Sequence, residues 1–90
     1  MKLAEYFKDR LITMDNINRF INDYGGCIVK TIKGNYLVDQ KPPHESILYI
    51  RLENLILLDS LKLIDSVIIN TNYLVSVEKH APLMCEKVSG

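Results

Sequence analysis

Four side chains in this chain of 90 residues are suited to nucleophilic or metal chemistry: those of Cys27, Cys85, His44 and His80. A cysteine nucleophile needs a base within hydrogen-bond reach and a third group that orients the base. Cys27 instead opens the apolar run Cys27-Ile28-Val29, where cysteine behaves as a small hydrophobe. Structural zinc sites bring their ligands in closely spaced pairs. Here the one near pair is His80 and Cys85, so a Cys2His2 site would have to gather all four residues. Solvated surface histidines account for His44 and His80 equally well. Asp59 and Asp65 flank Ser60-Leu61-Lys62-Leu63-Ile64 and suit turn and edge positions better than acid–base work. Gly34 stands alone and belongs to no phosphate-cradling loop or dinucleotide fingerprint. These residues assign no catalytic group, metal or cofactor, and the chain reads as a non-enzyme.

A second chemistry is the binding of single-stranded nucleic acid, which combines basic side chains with a stacking aromatic. Lys30, Lys33, Lys41 and Arg51 could gather around the Gly34 turn beside Tyr36. The plainer account of the same residues is solvated strand faces, with lysines blocking edge-to-edge pairing. Lys plus Arg and Asp plus Glu each number 11, for a formal net charge of +0, and the charges are interspersed. No basic run or acidic tail steers the chain toward nucleic acid or anionic lipid.

Ninety residues suffice for one domain and not for two. We expect a single α+β domain over 1–82 and a loosely held tail over 83–90. The charged opening Met1-Lys2-Leu3-Ala4-Glu5-Tyr6-Phe7-Lys8-Asp9-Arg10 does not read as a signal peptide. The longest apolar run, Leu55-Ile56-Leu57-Leu58, is too short to span a bilayer. The expected location is the cytoplasm, with no membrane contact and both thiols reduced. A Cys27–Cys85 disulfide would require their backbones to come close. The wealth of Ile, Lys, Asn and Leu suits an AT-rich bacterial or viral genome.

Leu3, Tyr6, Phe7 and Leu11 recur at helical spacing, and Ile17, Phe20, Ile21 and Tyr24 form a second stripe. Thr13 or Asp15 is the expected N-cap of that second stretch, and Gly25-Gly26 its stop. The first 24 residues are therefore two short helices, or one helix broken near Thr13. Beyond the glycines, Cys27 to Ile32 and Tyr36-Leu37-Val38 read as strands joined at Lys33-Gly34-Asn35, where Gly34 and Asn35 tolerate positive φ. Gln40-Lys41-Pro42-Pro43-His44 reads as a loop. Leu48, Ile50 and Leu52 alternate with polar residues like a half-buried strand. The phase slips at Glu53-Asn54, as a bulge or tight turn would cause. A helix over 52–64 is the competing reading, because Leu is a strong helix former. Leu61, Leu63, Val67 and Ile69 share a further strand face, Asn70-Thr71-Asn72 marks a turn, and Tyr73, Val75 and Val77 line a last strand closed by Pro82.

The order is an N-terminal helix or helix pair followed by about five short antiparallel strands, an arrangement that forms a small barrel or rolled sheet. The stretch Ile69-Asn70-Thr71-Asn72-Tyr73-Leu74-Val75-Ser76-Val77 resembles the second motif of the Sm-like RNA-binding family. In that motif an apolar residue and an Arg-Gly-Asn turn lead into a final strand. Asn70 and Thr71 stand where the family carries Arg and Gly. The resemblance covers about nine residues and the element order. It implies an SH3/Sm-like topology, and RNA binding only where the Arg and Gly are present.

Residues 46–69 hold fourteen Ile, Leu or Val. Leu55 to Leu58 and Val67 to Ile69 are apolar on both strand faces. A barrel interior hides one set, and the other must meet a helix, a second copy or another protein. Each Leu or Ile kept from water is worth about 1.5–3 kcal/mol, so the second set matters. The expected function is a non-catalytic protein-interaction module, a small regulator, adaptor or inhibitor that self-associates and docks on an unidentified protein. The expected contacts are Tyr49, Leu55, Leu57, Ile68 and Tyr73. The alternative is a nucleic-acid-binding small barrel of Sm-like type using Lys30, Lys33, Tyr36 and Arg51.

Overall fold

A computed structural model describes residues 1–39 and 48–83. The expected loop at Gln40 to His44 and the last residues of the expected tail, including Cys85, lie outside that set. The helical region is a single turn, α1 (Leu3–Tyr6), followed by α2 (Met14–Tyr24). Of the two expected caps it is Thr13, not Asp15, that caps α2, its hydroxyl accepting from the backbone N–H of Asn16 at 3.2 Å. Gly25 ends it, donating its N–H to the carbonyl of Ile21 at 2.8 Å. On α2 the inward stripe is Ile17 and Phe20, both buried, with Ile21 half-buried. The first stripe is shorter than its spacing suggests. Leu3, Tyr6 and Phe7 are buried, but α1 stops at Tyr6 and Leu11 is 79 % exposed. Arg10 lies over the Tyr6 ring and donates to the Tyr6 carbonyl, which fits a chain leaving the helix there.

Five strands follow in one antiparallel sheet: β1 (Gly26–Thr31), β2 (Gly34–Val38), β3 (Tyr49–Leu57), β4 (Lys62–Asn70) and β5 (Leu74–His80). Their order across the sheet is β4-β3-β2-β1-β5, so the last strand returns beside the first. The β1–β2 turn is Ile32-Lys33, closed by the Thr31↔Gly34 pair, slightly ahead of the expected Lys33-Gly34-Asn35. Thr31 moves it: its hydroxyl donates to the Gly34 carbonyl at 2.7 Å and accepts from the Lys33 N–H at 3.1 Å. Gly34 takes the positive φ, and Asn35 does not.

Residues 52–64 are strand, turn and strand, not helix. The Leu-rich β3 pairs with β2 on one side and with β4 on the other, and that tertiary pairing overrides helix propensity. The expected phase slip is present, with a different cause from an inserted residue. Ile50 and Leu52 face the same core as Leu55, opposite Ile69, Val67 and Ile64, which an unbroken alternation would not allow. The ladder keeps one register from Glu53↔Ser66 to Leu55↔Ile64, so nothing is inserted. Asn54 instead adopts φ 52, and this left-handed step swaps the faces of the residues beyond it. Asn tolerates that conformation, whereas a β-branched side chain does not. Asn54→Val is therefore expected to cost about 1–3 kcal/mol in a urea melt, with Asn54→Gly within about 1 kcal/mol of wild type.

The same slip corrects the β4 face. Val67 and Ile69 point to the core, but Leu63 lies opposite Ile56 on the outer side and Leu61 sits in the turn with φ 55. On the last strand the inward residues are Leu74 and Val77. Tyr73 sits in a short 3-10 turn (Thr71–Tyr73), and Val75 is exposed where the β1–β5 register shifts.

Two cores result. Cys27, Val29, Tyr36, Val38, Ile50, Leu52, Leu55 and Ile69 form one on the inner face of the sheet, joined by half-buried residues of β4 and β5. The other lies between the helices and the outer face, where Leu3, Tyr6, Phe7, Ile17 and Phe20 cover Leu37 of β2 and Ile56 of β3. Asp39, just past β2, ties the layers together by accepting from the Leu3 N–H at 3.2 Å.

Candidate interaction surface

The helical layer covers only one end of the outer face. It reaches Ile28, Leu37, Ile56, Leu58 and Leu61; those on β3 and in the turn after it all lie beyond the Asn54 kink. Before the kink, the outward residues of β3 are Tyr49, Arg51 and Glu53, facing Asn70, Ile68 and Ser66 of β4. Leu48, expected on the inner face with Ile50 and Leu52, is 75 % exposed. Its carbonyl accepts from the N–H and hydroxyl of Thr71 at 2.9 and 3.1 Å, which fixes the chain just ahead of β3. Tyr49 is 56 % exposed and Ile68 66 %. Tyr49 and Ile68 share the outer face at this end of β3 and β4 with the Arg51–Glu53 pair at 3.2 Å, and Leu48 is exposed just ahead of the strand.

The expected contact residues are thus divided by the fold. Tyr49 and Ile68 lie on this outer surface. Leu55 is 0 % exposed, within the inner core, and Leu57 packs partly against that core. Tyr73 also packs on the inner core, and its ring carries the Lys33 ammonium 5.0 Å from its centroid. No periodicity marks Leu48 as exposed, because it continues the alternation of Ile50 and Leu52 while lying outside the strand. The contribution of Arg51 and Glu53 to this surface is legible from their spacing, once the strand is accepted.

The described basic residues do not converge on Tyr36, and Lys33 lies over the Tyr73 ring instead. Tyr36 is 9 % exposed and belongs to the inner core, so its face is unavailable to a base. Lys30 pairs with Glu78 of β5 at 2.9 Å, and its level across β2 is that of Asn35 and Leu58, far along β3 from Arg51. The Lys30 ammonium, bonded to the Glu78 carboxylate, holds that carboxyl below its ordinary pKa. His80 Nε2 lies 3.9 Å from the same carboxylate. Cys27 is buried in the inner core. Among the described residues no three His, Cys, Asp or Glu side chains are grouped to hold a metal ion, and no helix is long and apolar enough to cross a membrane. Comparison with known proteins gave no relationship: no family model, no curated protein and no solved structure matches the chain.

Proposed function

We propose that this chain is a non-catalytic protein-interaction module, a small regulator, adaptor or inhibitor of the cytoplasm that associates with itself. One observation carries the reading: the Tyr49 and Ile68 side chains stand exposed on the outer face at the end of β3 and β4 that the helices leave uncovered, with Leu48 exposed just ahead of β3. The apolar excess of the middle of the chain is thereby divided. The inner core and the helices shelter most of it, and this end is what a second copy would shelter.

The sheet, in this reading, rolls toward a small barrel of the SH3/Sm kind. Support comes from β5 returning beside β1 and from an inner core that draws on all five strands while the helices lie on the opposite face. The nucleic-acid alternative gains no support from the placement of Tyr36 in that core.

Light scattering on a size-exclusion column tests the reading. The expected result is a dimer or larger for the wild-type chain and a monomer for Ile68→Asp, with unchanged circular dichroism. A wild-type monomer at the highest soluble concentration defeats it.

A further inference from the structure

We propose that the self-association is an edge-to-edge pairing of β4 with β4 of a second copy, antiparallel and centred on Ile68. The inference rests on the self-association reading and specifies its geometry. Among the described residues β4 and β5 form the two edges of the sheet, and no strand pairs with the far side of either. The Thr71 N–H donates to the Leu48 carbonyl, which sets the phase of the β3–β4 ladder. Bonded and non-bonded positions alternate in an antiparallel pair, so Ile69 and Val67 exchange bonds with Ile50 and Leu52. Ser66 and Ile68 then aim both backbone groups away from β3, and Asn70 its N–H. Such a row of open donors and acceptors is a template for another strand.

The two edges are not equally defended. Glu78, Lys79 and His80 stand on β5, and its register breaks near Lys30 and Thr31. Charges and irregularities of that kind deter pairing. From Ser66 to Asn70, β4 carries no charge, no proline and no register break. These residues read polar, β-branched, β-branched, β-branched, polar in either direction. Turned against itself about Ile68, the segment sets Ile68 beside Ile68 of the second copy on the outer face. Val67 then lies beside Ile69 on the inner face, and Ser66 beside Asn70. An isologous contact requires this self-complementarity, so the occupant of the edge is another copy of the chain. The ladder stops at Ser66, because the faces swap at the level of Asn54. No residue of β4 belongs to the helical cluster. The two-fold axis is normal to the sheet and sends the helical layers of the two copies toward opposite ends of the joined strands, where they do not meet.

Residue-resolved hydrogen exchange on the wild-type chain tests the ladder. The Ile68 amide should exchange more than about tenfold more slowly in a concentrated, dimeric sample than in a dilute one, with the Ser66 and Asn70 amides following it. Val67 and Ile69, bonded to β3 in either state, should be protected in both samples. A dimer joined only through side chains of the outer face produces no such alternation. Cysteine trapping then tests the register. A bonded antiparallel pair holds its Cα atoms about 5.5 Å apart, within disulfide reach. Ile68→Cys in a Cys85→Ser background should therefore cross-link to a dimer under mild oxidation. Ser66→Cys should not, because its counterpart lies about 13 Å away along the strand. If wild type dimerises but the exchange lacks the alternation, or Ile68→Cys does not cross-link, this pairing is overturned and self-association stands. A monomeric wild type overturns both.

Discussion

Phe20→Ala should lower the melting temperature by about 12 °C or more, the largest effect of any single truncation in the helical layer. Phe20 is 0 % exposed, with the Tyr6, Phe7 and Tyr24 ring centroids at 5.2, 6.5 and 5.4 Å. Truncation removes the transfer free energy of a whole ring and leaves a cavity among aromatic neighbours that cannot easily collapse into it. Phe→Ala at such a site costs about 3–5 kcal/mol. A domain of this length has a total stability of about 5–13 kcal/mol, so the loss is a large part of it. The α1 segment is a single turn, and it holds its place through Leu3, Tyr6 and Phe7 in the same cluster. The helical layer should therefore loosen as a unit and uncover Leu37 and Ile56. Thermal melts followed by circular dichroism, with dye binding for exposed apolar surface, check this. A shift of under about 4 °C would mean that Phe20 is not the anchor of the layer.

Gly25→Ala should cost about 2 kcal/mol or more, for two reasons that add. Gly25 joins α2 to β1 at φ 78 and ψ −168, a conformation essentially confined to glycine and strained by about 1–3 kcal/mol for other residues. A Cβ there would also stand 2.6 Å from the His80 carbonyl oxygen and 3.0 Å from Pro82 Cδ. The first of these is backbone at the end of β5, so relief requires moving the strand or the helix. Gly34 provides the contrast. Its φ of 144 is also unfavourable for alanine, but the nearest atom to an added Cβ is Asp59 Oδ2 at 2.8 Å, the far end of a side chain that can swing away. Urea melts should rank Gly25→Ala as clearly worse than Gly34→Ala. The opposite order would show that the clash with β5 is relieved at little cost.

Elements that obey local rules are legible in the residues alone. Thr13 as the cap, Gly25 as the stop, the Ile17 and Phe20 stripe and the β-branched run into β1 each follow from short-range stereochemistry. The slip at Glu53-Asn54 is visible too, since alternation fails there whatever its cause. Packing between elements resolves what those rules leave degenerate. Residues 52–64 could form a helix or strands on propensity alone, and pairing with β2 and β4 settles the choice. Leu11, Leu48 and Leu55 are chemically alike, yet the first two are exposed and the third is fully buried. The single-turn α1 and the left-handed Asn54 set where each layer ends and which face each leucine takes. Burial belongs to the assembled layers, and a side chain's type states only what its exposure would cost.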